Sequence, residues 1–211
     1  MHSEKPKPNA ATSYWDYDAD EHDFISTRTF GFWLYLLSDA LIFAGLFASY
    51  AVMDNPMSAF GHPLADGLLS ASRGLEQSFI VLASVLAVSI GSIGLKTGNK
   101  ALVLGGLAVG GVLGALFIGF GVSDLLAMAA AGNGPEASGY LSILFTLLIT
   151  HALHMAFGLL WIVAMFIHIA RWGLDAMNTA RLLCLRMFWQ FQASVWVVVY
   201  VYVYLFGGAH S

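Results

Sequence analysis

The chain has 211 residues, of which 58% are hydrophobic and only 10% charged, with a formal net charge of −4. A soluble domain carries about 25% charged residues, so this composition and a mean hydropathy of +0.74 exclude a water-soluble globule and indicate an integral membrane protein. The single cysteine, Cys184, excludes an internal disulfide, no Cys/His cluster reads as a zinc site, and membrane lipid rather than nucleic acid is the expected surrounding.

The N-terminal segment is polar and acidic ("DYDADEHD", 16–23), and residues 1–28 are expected to form a loosely ordered tail ahead of a membrane domain over 29–211. It does not read as a cleavable signal, whose apolar core spans roughly 7–15 residues. Crossing a bilayer core takes about 20 apolar residues in a helix. Five runs are long enough: 30–53, 75–95, 101–123, 140–170 and 187–208. The expected fold is therefore all-α, a polytopic bundle of five transmembrane helices.

The first span contains one charged residue, Asp39, within "YLLSDALIF". It lies about 14 Å along the helix from Phe30, near mid-membrane, where a charged Asp costs about 2.5–3.5 kcal/mol. It is expected to face protein, bonded by Ser38, by a histidine of the fourth span or by a partner subunit. Its role is either a polar pin that fixes helix docking or a supporting site for proton supply. Glu76 opens the second span, and reads either as an interface residue reaching water or as part of a hydrated, proton-exchanging region.

The third span carries glycines at four-residue spacing, Gly106, Gly110 and Gly114, a stripe along which another helix can approach closely. "IGLKTGNK" (93–100) lacks the glycine pattern of a phosphate-binding loop. The fourth span holds "THALHM" (150–155), with His151 and His154 on one helix face, and then His168. His154 and His168 are spaced about 21 Å apart along a helix, as in stacked-haem membrane cytochromes. The facing axial histidines that such haems need are missing, because His2, His22, His62 and His210 lie in tails or a loop. The fifth span, "VWVVVYVYVYLF", alternates like a strand, but a lone strand in lipid would leave its backbone unpaired. Its tyrosines, Tyr200, Tyr202 and Tyr204, suit an aromatic belt near the membrane surface.

Lys5, Lys7, Arg28, Lys96, Lys100, Arg171, Arg181 and Arg186 fall on one side of this five-span arrangement, and only Arg73 on the other. By the positive-inside rule the N-terminus is expected in the cytoplasm and the C-terminus in the periplasm.

"FGFWLYLLSDALIFAGLFASYAV" (30–52), "THALHM" (150–155) and "IARWGLDAMNTARLLCLRMFW" (169–189), in this order, resemble subunit III of haem–copper terminal oxidases, nearest the cytochrome o ubiquinol oxidase branch. The resemblance covers about residues 28–208. It implies a non-redox accessory subunit of a proton-pumping quinol:oxygen oxidoreductase in a bacterial cytoplasmic membrane. Haems and copper then belong to subunit I, with no cofactor or metal here, and the partners are subunit I, mainly, and subunits II and IV. Within that resemblance Asp39 matches the family's intramembrane acid, and His151 and His154 its paired histidines. The five spans correspond to a form lacking the first two of seven helices.

The sequence departs from the family pattern in "WQFQASVW" (189–196), where Gln190 replaces a His and Ala193 an Asp, and at Gly121, where an acid is common, while Asp124 is kept. His151 and His154 are accordingly expected to have lost an ionic partner, with Gln190 and Gln192 supplying neutral hydrogen bonds instead. Other readings are subunit III of a cytochrome c oxidase, a stand-alone proton-linked transporter using Asp39, and a haem-binding anchor.

Overall fold

The structure, a computed structural model, describes Tyr17 and residues 19–207. His2, Lys5, Lys7 and His210 lie outside the described residues, as do residues 1–16 of the expected tail. Among the described residues five long helices are apolar enough to cross a membrane: α1 (Ala19–Met53), α4 (Ala71–Thr97), α5 (Lys100–Ala130), α6 (Gly139–Trp172) and α7 (Ala176–Val199), which continues as π-helix over Tyr200–Leu205. Two single turns, α2 (Pro56–Ala59) and α3 (Ala65–Leu68), lie in the loop after α1. No strand occurs among the described residues.

The helices outrun the apolar segments at several ends. α1 begins at Ala19 rather than near Phe30, and α7 at Ala176 rather than near 187. A helix hydrogen-bonds its own backbone whether lipid or water surrounds it, so leaving the membrane is no reason to unwind. The boundaries are set by caps. Gly98, at φ 65°, ends α4 in a left-handed turn that favours glycine. The Asn99 side chain then accepts from the Leu102 backbone N–H to start α5. Ser138 and Asp175 cap α6 and α7 in the same way, accepting from Leu141 and Asn178.

The packing order is a closed ring, α1–α6–α5–α4–α7, crossed by a direct contact between α6 and α7. This diagonal divides the bundle into a small lobe (α1, α6, α7) and a larger one (α4, α5, α6, α7). α4 and α5 pack most intimately, for a reason visible in their sequence: a Cβ at Gly106 would collide with the Gly91 backbone, and one at Gly110 with the Val88 side chain. Gly114 instead makes room for an aromatic ring, since a Cβ there would lie 2.6 Å from Trp189 of α7. The close-approach stripe therefore serves helices of this same chain.

α7 is fixed to α4 by two indole N–H groups. Trp189 donates to Ser84 at 2.9 Å and Trp196 to Ser78 at 3.0 Å. The serines pass the bonds on to backbone carbonyls, Ser84 to Gly110 and Ser78 to Gly74. At one end of the bundle Tyr140 and Tyr50 hydroxyls are 3.0 Å apart, and the Tyr140 hydroxyl also accepts from the Ala65 N–H. These bonds satisfy groups that lipid could not.

Candidate functional site

Two polar sites occur inside the bundle, one in each lobe. In the small lobe Asp39, 3% exposed, reaches across from α1 to α6 and meets His154, with Oδ1 and Nε2 3.0 Å apart. The other ring nitrogen, Nδ1, lies 2.8 Å from the Thr150 carbonyl oxygen. A carbonyl can only accept, so Nδ1 carries a hydrogen. The contact between Nε2 and Oδ1 then holds a single proton: either the acid is protonated and donates to a neutral imidazole, or an imidazolium donates to a carboxylate. The pair has no net charge in either case, which answers how an acid persists at this depth. Ser38 takes no part; its hydroxyl contacts the carbonyl of Leu34 in its own helix.

In the larger lobe His151 is 2% exposed and enclosed by rings. Trp196 stacks on it at 27° and 5.7 Å, and Phe117 and Phe43 approach edge-on at 5.8 and 6.3 Å. The Gln192 amide sits beside it. His151 and His154 thus share a helix face and the neighbouring Phe43 ring, but their other neighbours differ. The expected loss of an ionic partner applies to His151. His154 has one in Asp39.

Towards the end of the bundle that carries α2 and α3, Asp124 of α5 receives a hydrogen bond from the Gln77 amide and faces the Arg73 guanidinium at 3.4 Å. Arg73 also lies over the Phe120 ring. Glu76 is on the outer side of α4, with a 69% exposed side chain 3.8 Å from Arg73. The inward-facing acid of this region is therefore Asp124, which sequence reasoning noted only as a retained family residue. Arg73 and Gln77 are not among the residues the sequence singles out for a site, whereas Gln192 is, as a source of neutral hydrogen bonds. The signal available for Arg73 was its isolation, as the sole cation on its side. Gln190 points outward from α7 and only approaches Ser89, at 3.4 Å. His168 bonds back to the Ala164 carbonyl near the end of α6.

Among the described residues no group of three or more His, Cys, Asp or Glu side chains is gathered as a metal site. The arrangement contains no nucleophile with an adjacent base. What it offers is one shared proton between α1 and α6, and one imidazole among rings and amides. A profile described as cytochrome c oxidase subunit III matches residues 19–208. The chain belongs to this family. Relatives named cytochrome bo(3) ubiquinol oxidase subunit 3 include the Pseudomonas aeruginosa protein, 37% identical over 88% of both chains. That of Pseudomonas putida is 36% identical over 88% of this chain and 89% of its own. That of Buchnera aphidicola is 33% identical over 90% and 97%.

Proposed function

We propose that the chain is the accessory third subunit of a quinol:oxygen oxidoreductase of a bacterial cytoplasmic membrane, and that it holds the redox-active subunit in working form without doing redox chemistry itself. The observation that carries this reading is the match along 19–208, joined to relatives that are named as ubiquinol oxidase subunits over nearly their whole length. The partners in this reading are subunit I, which would carry haems and copper, and subunits II and IV. The N-terminus faces the cytoplasm and the C-terminus the periplasm. This is supported by the gathering of Arg28, Lys96, Lys100, Arg171, Arg181 and Arg186 towards one end of the bundle and Arg73 at the other. Asp39 and His154 act as a polar pin between α1 and α6, and any help with proton supply is secondary to that.

Purification through a tag on this chain tests the proposal. Larger haem-containing chains should copurify, and the preparation should consume oxygen when given a quinol. Recovery of the chain alone or as a self-associated species would favour the transporter reading. Oxygen uptake driven by reduced cytochrome c but not by quinol would move the assignment to the cytochrome c branch, which the family description also names.

A further inference from the structure

The side chains around His151 leave more buried polar atoms unpaired than protein contacts can satisfy. Both ring nitrogens of His151, both polar atoms of the Gln192 amide and the Gln77 Oε1 lack a hydrogen-bond partner. All three residues are 0–2% exposed. A direct bond between His151 and the neighbouring Gln192 would satisfy one atom on each and still leave three. Buried polar groups in folded proteins are almost always bonded to protein or to ordered water.

Between His151 and Gln77 lies a cavity of about 30 Å³, lined also by Asp124, Gly121, Phe117 and Trp196. That is room for about two waters. It shares Leu69, Asp124, Met128 and Tyr204 with a wider, open cleft that holds Arg73 and Ser70. The unpaired atoms differ in kind: the Gln77 oxygen accepts, whereas neutral imidazole needs both an acceptor for its N–H and a donor for its lone pair. Water supplies both roles. A carboxylate or a lipid headgroup would satisfy only one and would need far more space.

We propose that this cavity is a water-binding site, the inner end of a hydrated inlet that runs from the cleft between Arg73 and Asp124 to the imidazole of His151. The inlet stops there, since neither Asp39 nor His154 lines the cavity. His151 is thereby in contact with solvent although it sits inside the span, and its hydration comes from the Asp124 end only.

Pulsed radiolytic footprinting of the intact complex in ¹⁸O-labelled water tests this, since hydroxyl radicals formed at internal waters oxidise the side chains beside them. Trp196 and Trp189 make a matched pair, 3% and 1% exposed, with only the former lining the cavity. Trp196 should incorporate the label several-fold faster than Trp189. Gly121→Leu adds an apolar side chain at the cavity wall, where nothing lies within 4 Å of a Cβ, and is expected to displace the water. In that variant the rate at Trp196 should fall to that of Trp189. Equal, slow rates at both tryptophans of the parent complex would overturn the proposal. So would an assembled Gly121→Leu complex in which Trp196 reacts as fast as before. If the variant fails to assemble, the comparison within the parent complex still decides.

Discussion

Asp39 and His154 form one chemical unit, and substitutions must be read against the proton they share. Asn at 39 retains a donor for the free Nε2 lone pair while removing the ability to ionise. Asp39→Asn is therefore expected to assemble normally and to keep most of its initial oxygen consumption, with faster decline over many turnovers or a shifted pH profile as its only defects. Oxygen uptake by the purified complex with full haem content measures this; immediate loss of nearly all activity would make Asp39 an obligatory proton carrier. Leu at either position breaks the unit, but unequally. Asp39→Leu strands an imidazole that is 24% exposed, at a cost of about 1–3 kcal/mol for a lost buried bond. His154→Leu strands an acid that is 3% exposed, and breaking a buried pair in this way costs about 3–5 kcal/mol. His154→Leu should thus lower the melting temperature of the complex more than Asp39→Leu, and the double variant should be better than the sum of the two. Additive losses would show that the two side chains act separately. The identity of the acid and of the histidine was legible from one charge in a long apolar run and from the spacing of "THALHM". Their pairing was legible only as one of three alternatives for Asp39, because nothing local in α1 specifies which face of α6 it meets.

At the scale of helices, run length revealed the spans because lipid demands a minimum apolar length. It did not reveal the ends, which depend on caps such as Asn99, Ser138 and Asp175 that operate equally well in water. The glycine stripe was legible as packing, while its partners, α4 for Gly106 and Gly110 and α7 for Gly114, required the ring order of the helices. Gln190, which the family pattern offers as a hydrogen-bonding substitute for a His, is exposed and near Ser89 instead, because the packing of α7 against its neighbours sets which face is buried. A matched pair of changes tests the stripe. Gly110→Leu drives a side chain into Val88 and the Ser84 backbone, whereas Gly105, with nothing within 4 Å of its Cβ, faces open space. Overpacking typically costs about 1–3 kcal/mol, and separating α4 from α5 would also stretch the bond from Ser84 to Gly110. Gly110→Leu should reduce yield and heat stability of the complex, and Gly105→Leu should leave both close to the parent. Equal behaviour of the two variants would show that close approach at Gly110 is not required.

For the whole molecule, the closed ring with α6 against α7 explains why the two histidines of one helix turn have different neighbours: His151 meets rings of α1, α5 and α7, whereas His154 meets Asp39 and Phe43 of α1. The ring also gives the bundle two unlike ends. One end carries the two-residue link of Gly98 and Asn99, the short connection between α6 and α7, and six of the cations. The other carries α2, α3 and the loop between α5 and α6, tied together by His62 and Asn133 at 3.2 Å. The proposed orientation across the membrane rests on that asymmetry, because translocating several cations outward is disfavoured while a single Arg73, paired with Asp124, is tolerated. The test is cysteine labelling in intact cells on a Cys184→Ser background, which removes the only native thiol. Met57, 85% exposed in α2, and Thr97, an exposed residue at the end of α4, occupy opposite ends. A membrane-impermeant maleimide should react with Met57→Cys in whole cells, and with Thr97→Cys only after the membrane is permeabilised. The reverse pattern would invert the topology and place the cation-rich end outside. Labelling at both positions in intact cells would mean that α4 does not span the membrane, against its length and composition.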